Sequence, residues 1–306
     1  MEMSHIETFV TIAQVKNFSR AAMILHLSQP AISRRIRLLE QQLNVALFER
    51  VHKGALLTEA GCRFLPYARR ILAAARDGID AIQAMERHEI GTVKLALVGS
   101  LASTNLMQTL LNFRKAYPKV KLLPRTALSS EVSALVQGGE VHLGLRYFPD
   151  SHPDLVSYTV EKEPLTVVCS IYHTFRGSVP ELPEELKEIP WVSYPIGSGS
   201  SGEPFARVLK QKLIVNGLSD AQVIEIDSLT AQKRMIEADF GIGLLPVSSI
   251  REELKLGTLR VMDIPKMKTE VPVNVLYRRH GYLSHAAKRL LEELSWGRKS
   301  LQPLLG

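Results

Sequence analysis

Residues 18–50 read FSRAAMILHLSQPAISRRIRLLEQQLNVALFER, and the fold of the N-terminal part of the chain follows from them. Ser28 is a favourable N-cap, and Pro30 suits the first turn of a helix, where a missing N–H costs little. The sequence therefore predicts a short helix, a tight break and a second helix over about residues 29–43.

The second helix combines a polar, basic start with an apolar back. Apolar residues recur at helical spacing and predict one buried stripe, namely Ile32, Ile36, Leu39 and Leu43. Residues near the helix start are predicted to contact DNA, because recognition helices touch base edges and phosphates there. They are Ser28, Gln29, Pro30, Ser33, Arg34 and Arg37. For Arg34 and Arg37 the alternative is a solvated face with salt bridges, for instance to Glu40.

The flanking segments complete a winged helix-turn-helix over residues 1–58. Helices are expected at about 4–15 and 19–26, with Ser4 and Glu7 forming a capping box for the first. Two short strands are expected over 47–51 and 55–57, with a glycine-containing turn between them. The candidate residues of this wing, Arg50 and Lys53, are predicted to hold phosphates, which positions the head without identifying the bases.

Composition favours an anionic partner and a reducing compartment. The 306 residues carry a net charge of +7, and residues 1–58 hold seven Lys or Arg against four Asp or Glu. The two cysteines, Cys62 and Cys169, show no disulfide or zinc spacing and are interpreted as inert thiols rather than a redox switch. We find neither a secretory signal nor an apolar run of the ~20 residues that a membrane span needs, so the expected location is cytoplasmic.

A longer helix follows over residues 59–89, with Thr58 as its cap. A seam of apolar residues recurs along it, namely Phe64, Ala68, Ile71, Ala75, Ile79 and Ile82. An isolated helix would expose such a seam, so we expect a homodimer through this linker. The alternative is packing against its own chain.

Residues 90–306 alternate buried apolar runs with helices, which predicts α/β architecture with parallel sheets. Two such groups indicate two lobes: lobe I over about 90–162 and 268–306, and lobe II over about 163–267.

The chain resembles the LysR-type transcriptional regulators over its full length. The matched blocks are FSRAA from Phe18, SQPAIS from Ser28, LE at Leu39, LFER from Leu47 and LTEAG from Leu57. Asn44 departs from the family's usual glycine, but Asn also tolerates a left-handed backbone. The resemblance implies an effector domain of periplasmic-binding-protein type, pairing through the linker helix, and a tetramer. Double-stranded DNA, RNA polymerase and a small-molecule effector are the expected partners, without a membrane and without a cofactor.

The effector is expected between the lobes, where strands end and helices begin. Positions resembling Ser100 and Ser129 line the family's effector pocket, and Leu101 is included beside them. Arg146 would favour an anionic effector, unless it simply pairs with Glu140 or Asp150. Ser198 and Ser200 belong to a G-x-G-x-x-G stretch over 197–202. For that stretch we weigh a plain loop, nicotinamide binding and, as preferred function, anion binding at a helix start.

No catalytic constellation stands out, so we expect a regulator rather than an enzyme. Two other classes stay open at this point. A small-molecule enzyme built on the α/β half would leave residues 1–58 unexplained. An architectural DNA-binding protein would need no cleft and would show little sequence preference.

Overall fold

A computed structural model describes residues 1–51, 54–85, 91–174, 185–195 and 204–295 of the chain. Its N-terminal head contains three helices and a two-stranded antiparallel hairpin, as the sequence predicts. They are α1 (Met3–Val15), α2 (Phe18–Ile24), α3 (Gln29–Leu43), β1 (Phe48–Val51) and β2 (Gly54–Leu57).

Local capping rules set most of these helix ends. The Ser28 hydroxyl accepts a hydrogen bond from the Ala31 N–H at 3.4 Å, so the predicted cap of α3 is confirmed. Asn44 ends that helix with φ +53°, the left-handed conformation that the sequence allowed. The capping box at Ser4 and Glu7 is wrong, because α1 already begins at Met3 and Ser4 lies inside its first turn.

The core of the head is built around aromatic rings from several elements. The Phe9 ring lies 5.3 Å from that of Phe48 and 5.2 Å from that of Phe64. The apolar stripe of α3 is buried at Ile32, Ile36 and Leu39. Its fourth predicted member, Leu43, is 36% exposed, because α3 ends at this residue and the chain turns away at Asn44.

Helix α4 (Glu59–Met85) links the head to the rest of the chain, and the Thr58 hydroxyl accepts a hydrogen bond from the Gly61 N–H at 3.0 Å. A Cβ on Gly61 would lie 2.2 Å from the Leu47 carbonyl oxygen, so this close approach requires glycine. In the described part of the chain, no helix is long and apolar enough to span a bilayer.

The two halves of the predicted α4 seam differ in burial. Phe64, Ala68 and Ile71 pack in the core of the head, as the own-chain alternative requires. Ile79 and Ile82, in contrast, are 58% and 64% exposed. An apolar surface therefore remains uncovered on the second half of the helix.

The C-terminal half alternates strands and helices. The strands are β3 (Thr92–Leu97), β4 (Lys121–Thr126), β5 (Leu143–Tyr147), β6 (Leu155–Ser170), β7 (Trp191–Ser193), β8 (Val223–Glu225), β9 (Gly243–Pro246), β10 (Leu259–Met262) and β11 (Thr269–Arg278). The helices are α5 (Leu106–Ala116), α6 (Ser129–Gln137), α7 (Glu185–Glu188), α8 (Pro204–Val215), α9 (Leu229–Glu237), α10 (Arg251–Leu256) and α11 (His285–Ser295).

The sheets are mixed rather than purely parallel, so the sequence prediction is right only in part. Strand β3 is parallel to β4 and β5, and β7 is parallel to β8. The long strands β6 and β11 instead run antiparallel to each other, and β11 is antiparallel to β5. The first half of β6 pairs with β11, and its second half lies between β9 and β10. One continuous strand therefore joins the β3–β5 lobe (lobe I) to the β7–β10 lobe (lobe II).

Helix α4 also docks on lobe I through charged side chains. Arg278 donates from both terminal nitrogens to Asp77, with one distance of 2.8 Å. Two turns earlier on the helix, Arg70 makes a similar two-point contact with Asp154. Such bidentate pairs fix orientation as well as adding attraction.

The backbones approach closely between these ion pairs. Gly139 adopts φ +68° in the turn after α6, and a Cβ there would lie 3.1 Å from the Ala73 Cα. Arg76 donates to the carbonyl oxygen of the neighbouring Gly138. Small residues on both sides thus let the helix and the turn touch.

His142 forms the last contact of this interface. Its Nδ1 accepts a hydrogen bond from the Lys94 N–H at 3.2 Å, so the neutral ring carries its proton on Nε2, 3.1 Å from Asp80 Oδ2. Burial lowers the pKa of His142, and the Asp80 carboxylate only partly opposes this effect.

We predict that His142 makes folding stability sensitive to acid. In unfolded chains histidine takes up a proton near pH 6.5, whereas the folded state resists protonation because the His142 pKa is lowered. The stability that neutral His142 contributes is therefore complete above about pH 6.5 and is lost as the pH falls below it.

The measurement is the melting temperature of the wild type and of His142→Gln between neutral pH and mildly acidic pH. The wild type should lose more stability than the variant over this interval. An equal or larger loss in the variant would contradict the assignment, since other titrating groups are common to both proteins.

Candidate functional site

Helix α3 presents its basic start to solvent. Gln29, Arg34 and Arg37 are exposed. Neither arginine forms an ion pair with another described residue, and Glu40 is engaged elsewhere. Its Oε1 accepts hydrogen bonds from the N–H groups at the start of the hairpin, at 2.7 Å from Leu47. The alternative of a salt bridge to Glu40 is therefore not what the structure contains.

The other predicted DNA contacts are distributed around this helix start. Ser28 and Pro30 are exposed, and Ser33 is half-buried. Arg50 belongs to β1 opposite Ala55, but its side chain lies outside the described residues. Lys53 lies outside them entirely.

The structure brings Ser100 and Ser129 to the strand ends of lobe I. Ser100 lies in a 3₁₀ turn after β3, and Ser129 is the first residue of α6 after β4. Both hydroxyls are buried and have no hydrogen-bond partner among the described residues. An unsatisfied buried hydroxyl costs about 1–3 kcal/mol, so such groups are suited to a polar ligand or to water.

Two further hydroxyls of this kind were missed by sequence reasoning. Tyr147 ends β5, and Ser248 lies in the 3₁₀ turn that follows β9 and contacts the Ser100 turn. The hydroxyl of Tyr147 faces that of Ser100 without acceptable hydrogen-bond geometry, and burial raises the pKa of Tyr147. Tyr147 therefore stays protonated. The position of Tyr147 beside Arg146, at the end of a strand, could have identified this hydroxyl as a candidate from the sequence.

Carboxylates and aromatic rings form the rest of this inner cleft. Buried Glu163 accepts a hydrogen bond from the Ser248 N–H at 3.0 Å. Burial raises the pKa of nearby Glu161, and the charge of Glu163 adds to the effect. The ring of Phe205 from α8 lies 4.5 Å from that of Tyr147. The inner cleft thus combines hydroxyls, apolar rings and negative charge.

A basic groove continues outward from Ser129, between α6 of lobe I and α8 of lobe II. Its volume is about 990 Å³, at the upper end of the range for ligand pockets. The charged groups that line it are Arg69, Arg146, Asp150, Arg207 and, when protonated, His152.

Arg146 lines this basic groove, and its guanidinium is already paired with residues of the chain. It donates from Nη1 to the Ser133 hydroxyl at 2.7 Å and to Asp150 at 3.0 Å. Of the two acidic partners that the sequence offered, Asp150 is therefore the correct one, while Glu140 lies beside Arg125. The guanidinium still lines the groove, so it could contact a ligand while held by Asp150.

The remaining candidates lie away from the cleft or outside the described residues. Leu101 is completely buried in the main core. Ser198, Ser200 and the whole stretch 197–202 lie outside the described residues. Cys62 is exposed and Cys169 is buried, both as free thiols, and burial raises the pKa of Cys169 to about 11. Within the described ranges, no group of His, Cys, Asp or Glu is arranged to hold a metal.

Comparison with known families and curated proteins gives a consistent result. Residues 3–62 match the bacterial regulatory helix-turn-helix protein, lysR family, and residues 86–296 match the LysR substrate binding domain. The HTH-type transcriptional regulator CfxR of Cupriavidus necator is 29% identical, over 94% of this chain and 89% of CfxR. TfdS of Cupriavidus pinatubonensis, another HTH-type transcriptional regulator, is 30% identical over 90% of this chain and 92% of its own.

Solved structures share the fold over nearly the full length. CbnR, a LysR family transcriptional regulator, has a TM-score of 0.65 at 24% identity, covering 98% of this chain and all of that one. Full-length CbnR complexed with its target DNA has a TM-score of 0.62 and covers 97% of this chain. Because the substrate-binding-domain match alone spans more than half of the sequence, the chain belongs to the LysR family of DNA-binding transcriptional regulators, which are not enzymes.

Proposed function

We propose that this regulator binds specific DNA sequences under the control of a small anionic effector in the interlobe cleft. The observation that carries the proposal is the position, beside the basic groove, of buried hydroxyls that have no hydrogen-bond partner in the described parts of the chain. Ser100 and Ser129 offer hydrogen bonds there, and Arg146 and Arg207 offer positive charge.

Charge separation along the cleft supports a particular orientation of the effector. Glu161 and Glu163 give the inner cleft negative character, which disfavours a second anion at close range. The basic groove has the opposite character. The effector therefore directs its anionic group toward Arg146 and Arg207, and its neutral part toward the hydroxyls and Phe205.

Pairing of two chains through the second half of α4 follows from its exposed apolar residues, Ile79 and Ile82. Such a dimer would present two α3 helices to successive DNA turns, with centres ~34–36 Å apart or a multiple of it. The structure of full-length CbnR complexed with its target DNA supports this use of the fold. A tetramer, contact with RNA polymerase and a cytoplasmic location belong to the same proposal.

The effector acts by binding two arrangements of the lobes with different affinity. A ligand shifts an equilibrium only by its differential affinity for the two states. Closure of the lobes around the effector would change how the paired heads are held, so ligand and DNA binding become reciprocally coupled.

Arg34→Ala should reduce sequence preference in DNA binding. Loss of a guanidinium from a base edge costs about 1–3 kcal/mol on the cognate site and relaxes specificity at one position. The measurement is fluorescence anisotropy with operator and random duplexes at one salt concentration. Gln42→Ala is the matched control, because Gln42 is exposed near the opposite end of α3. An equal loss on both duplexes would assign Arg34 to phosphate contact instead.

A second prediction concerns the effector cleft. A carboxylate that occupies it at about 100 times its Kd should stabilise the full chain by about 2.7 kcal/mol, measured by thermal unfolding across a panel of organic acids. Ser100→Ala should raise the Kd of the carboxylate about tenfold, because a hydrogen bond to a polar or charged group of the ligand is lost.

Ser219→Ala is the control for that substitution, since Ser219 is exposed and bonds to its neighbour Asp220. Stabilisation that survives Ser100→Ala unchanged would remove Ser100 from the site. Failure of every organic anion to stabilise the chain would contradict an anionic effector.

A further inference from the structure

The outer end of the basic groove is formed by the linker helix. The groove follows one face of α6 from Ser129 to Gln137, a rise of about 12 Å at 1.5 Å per residue. At its far end Arg69 of α4 lies with Nη1 3.5 Å from Gln137 Oε1. Residues of the linker, of lobe I and of lobe II therefore line one groove.

The charges in this groove do not cancel. Three arginines face one carboxylate, and both oxygens of that carboxylate are engaged. Asp150 accepts from Arg146 at 3.0 Å and from the His152 N–H at 2.9 Å. Arg207 is exposed and forms no ion pair within the described part of the chain. A net positive groove of this kind attracts anions.

One donor of Arg69 lacks an acceptor among the described residues. Its Nε is buried with no hydrogen-bond partner among the described residues. Burial lowers the pKa of Arg69, while the charge of Glu140 opposes this effect. A buried donor without an acceptor is costly, and an anionic oxygen in the groove would satisfy it.

The spacing of the two α6 residues that contact Arg146 and Arg69 indicates the size of the ligand. Ser133 holds Arg146 and Gln137 contacts Arg69, and these two α6 residues are one turn apart, roughly 6 Å along the helix. The carboxylates of a four- or five-carbon dicarboxylic acid have a similar separation.

We propose that the groove binds a small organic dianion, with one anionic group at Arg146 and Arg207 and the second at Arg69 of the linker helix. This inference rests on the proposed function and deepens it, because it names the ligand class and a direct contact with the linker. A ligand held by Arg69 gains its second contact only when α4 is docked on lobe I. Ligand binding then stabilises the docked helix without any relay through the protein.

The test compares a dianion with a monoanion on the full chain by titration calorimetry at constant ionic strength. Glutarate and butyrate are the probes, and Arg69→Gln is the variant. We expect glutarate to bind the wild type about tenfold or more tighter than butyrate, and Arg69→Gln to abolish that advantage while butyrate binding is unchanged. Arg69→Lys, which keeps the charge, should retain part of the preference.

Arg63→Gln is the matched control, because Arg63 is exposed on the same helix and pairs only with Glu59 among the described residues. It should leave both affinities unchanged. Equal affinity for the two probes, with both lost in Ser100→Ala, would overturn the dianion inference and leave the proposed effector site standing. If Arg69→Gln weakened the binding of glutarate and butyrate equally, Arg69 would have a structural role only. That result would also overturn the dianion inference. Binding of neither probe would overturn the dianion inference, whereas the proposed effector site would be contradicted only if the whole panel of organic acids also failed to stabilise the chain.

Discussion

Helix α4 is held by two different forces on two different faces, and the arrangement of the head and effector domain depends on this. Its first half is fixed by apolar packing, with Phe64 against Phe9 in the core of the head. Further along, ion pairs such as Asp77 with Arg278 fix it to lobe I. Apolar burial is insensitive to pH and little weakened by salt, whereas ion pairs respond to both. We therefore expect the contact between the helix and the head to be constant, and the contact between the helix and lobe I to depend on pH and salt.

The cleft between the two lobes also combines a fixed part with an adjustable part. The long strand β6 runs through both lobes and limits how they can separate, while α6 and α8 face each other across an open groove. Carboxylates such as Glu163 lie inside and arginines such as Arg207 lie outside. A ligand that spans this gradient is oriented by it, and the same ligand can hold the lobes and the linker in one arrangement.

Sequence reasoning succeeded where local rules decide the structure and failed where distant segments meet. The Ser28 cap and the left-handed Asn44 both follow from short-range stereochemistry; the first was predicted and the second was allowed. Tyr147 and Ser248 are about a hundred residues apart in sequence, so no local pattern could bring them to one cleft. Leu43 matched the helical period, but α3 ends at this residue, so its side chain is not buried with the rest of the stripe.

The mixed sheet and the docking of α4 show the same limit. Alternating strands and helices indicate parallel pairing, yet β6 continues from lobe I into lobe II and pairs antiparallel with β11, a choice fixed by chain topology rather than by residue type. The seam of α4 was correctly identified as apolar, but Ala68 and Ile79 have the same hydropathic character and opposite surroundings. Only the tertiary structure distinguishes an own-chain contact from an exposed surface.

Hydrogen–deuterium exchange of the full chain, with and without Asp77→Asn, tests the conditional docking of α4 most directly. Loss of the Arg278 ion pair should accelerate amide exchange in the helix from Arg69 to Ile82, while β3 and β5 keep their protection. Glu270→Gln, which removes an exposed ion pair with Lys162 on lobe I, should leave that segment unchanged. Unaltered exchange of α4 in Asp77→Asn would contradict this explanation, because the ion pair with Arg278 would then not hold the helix on lobe I.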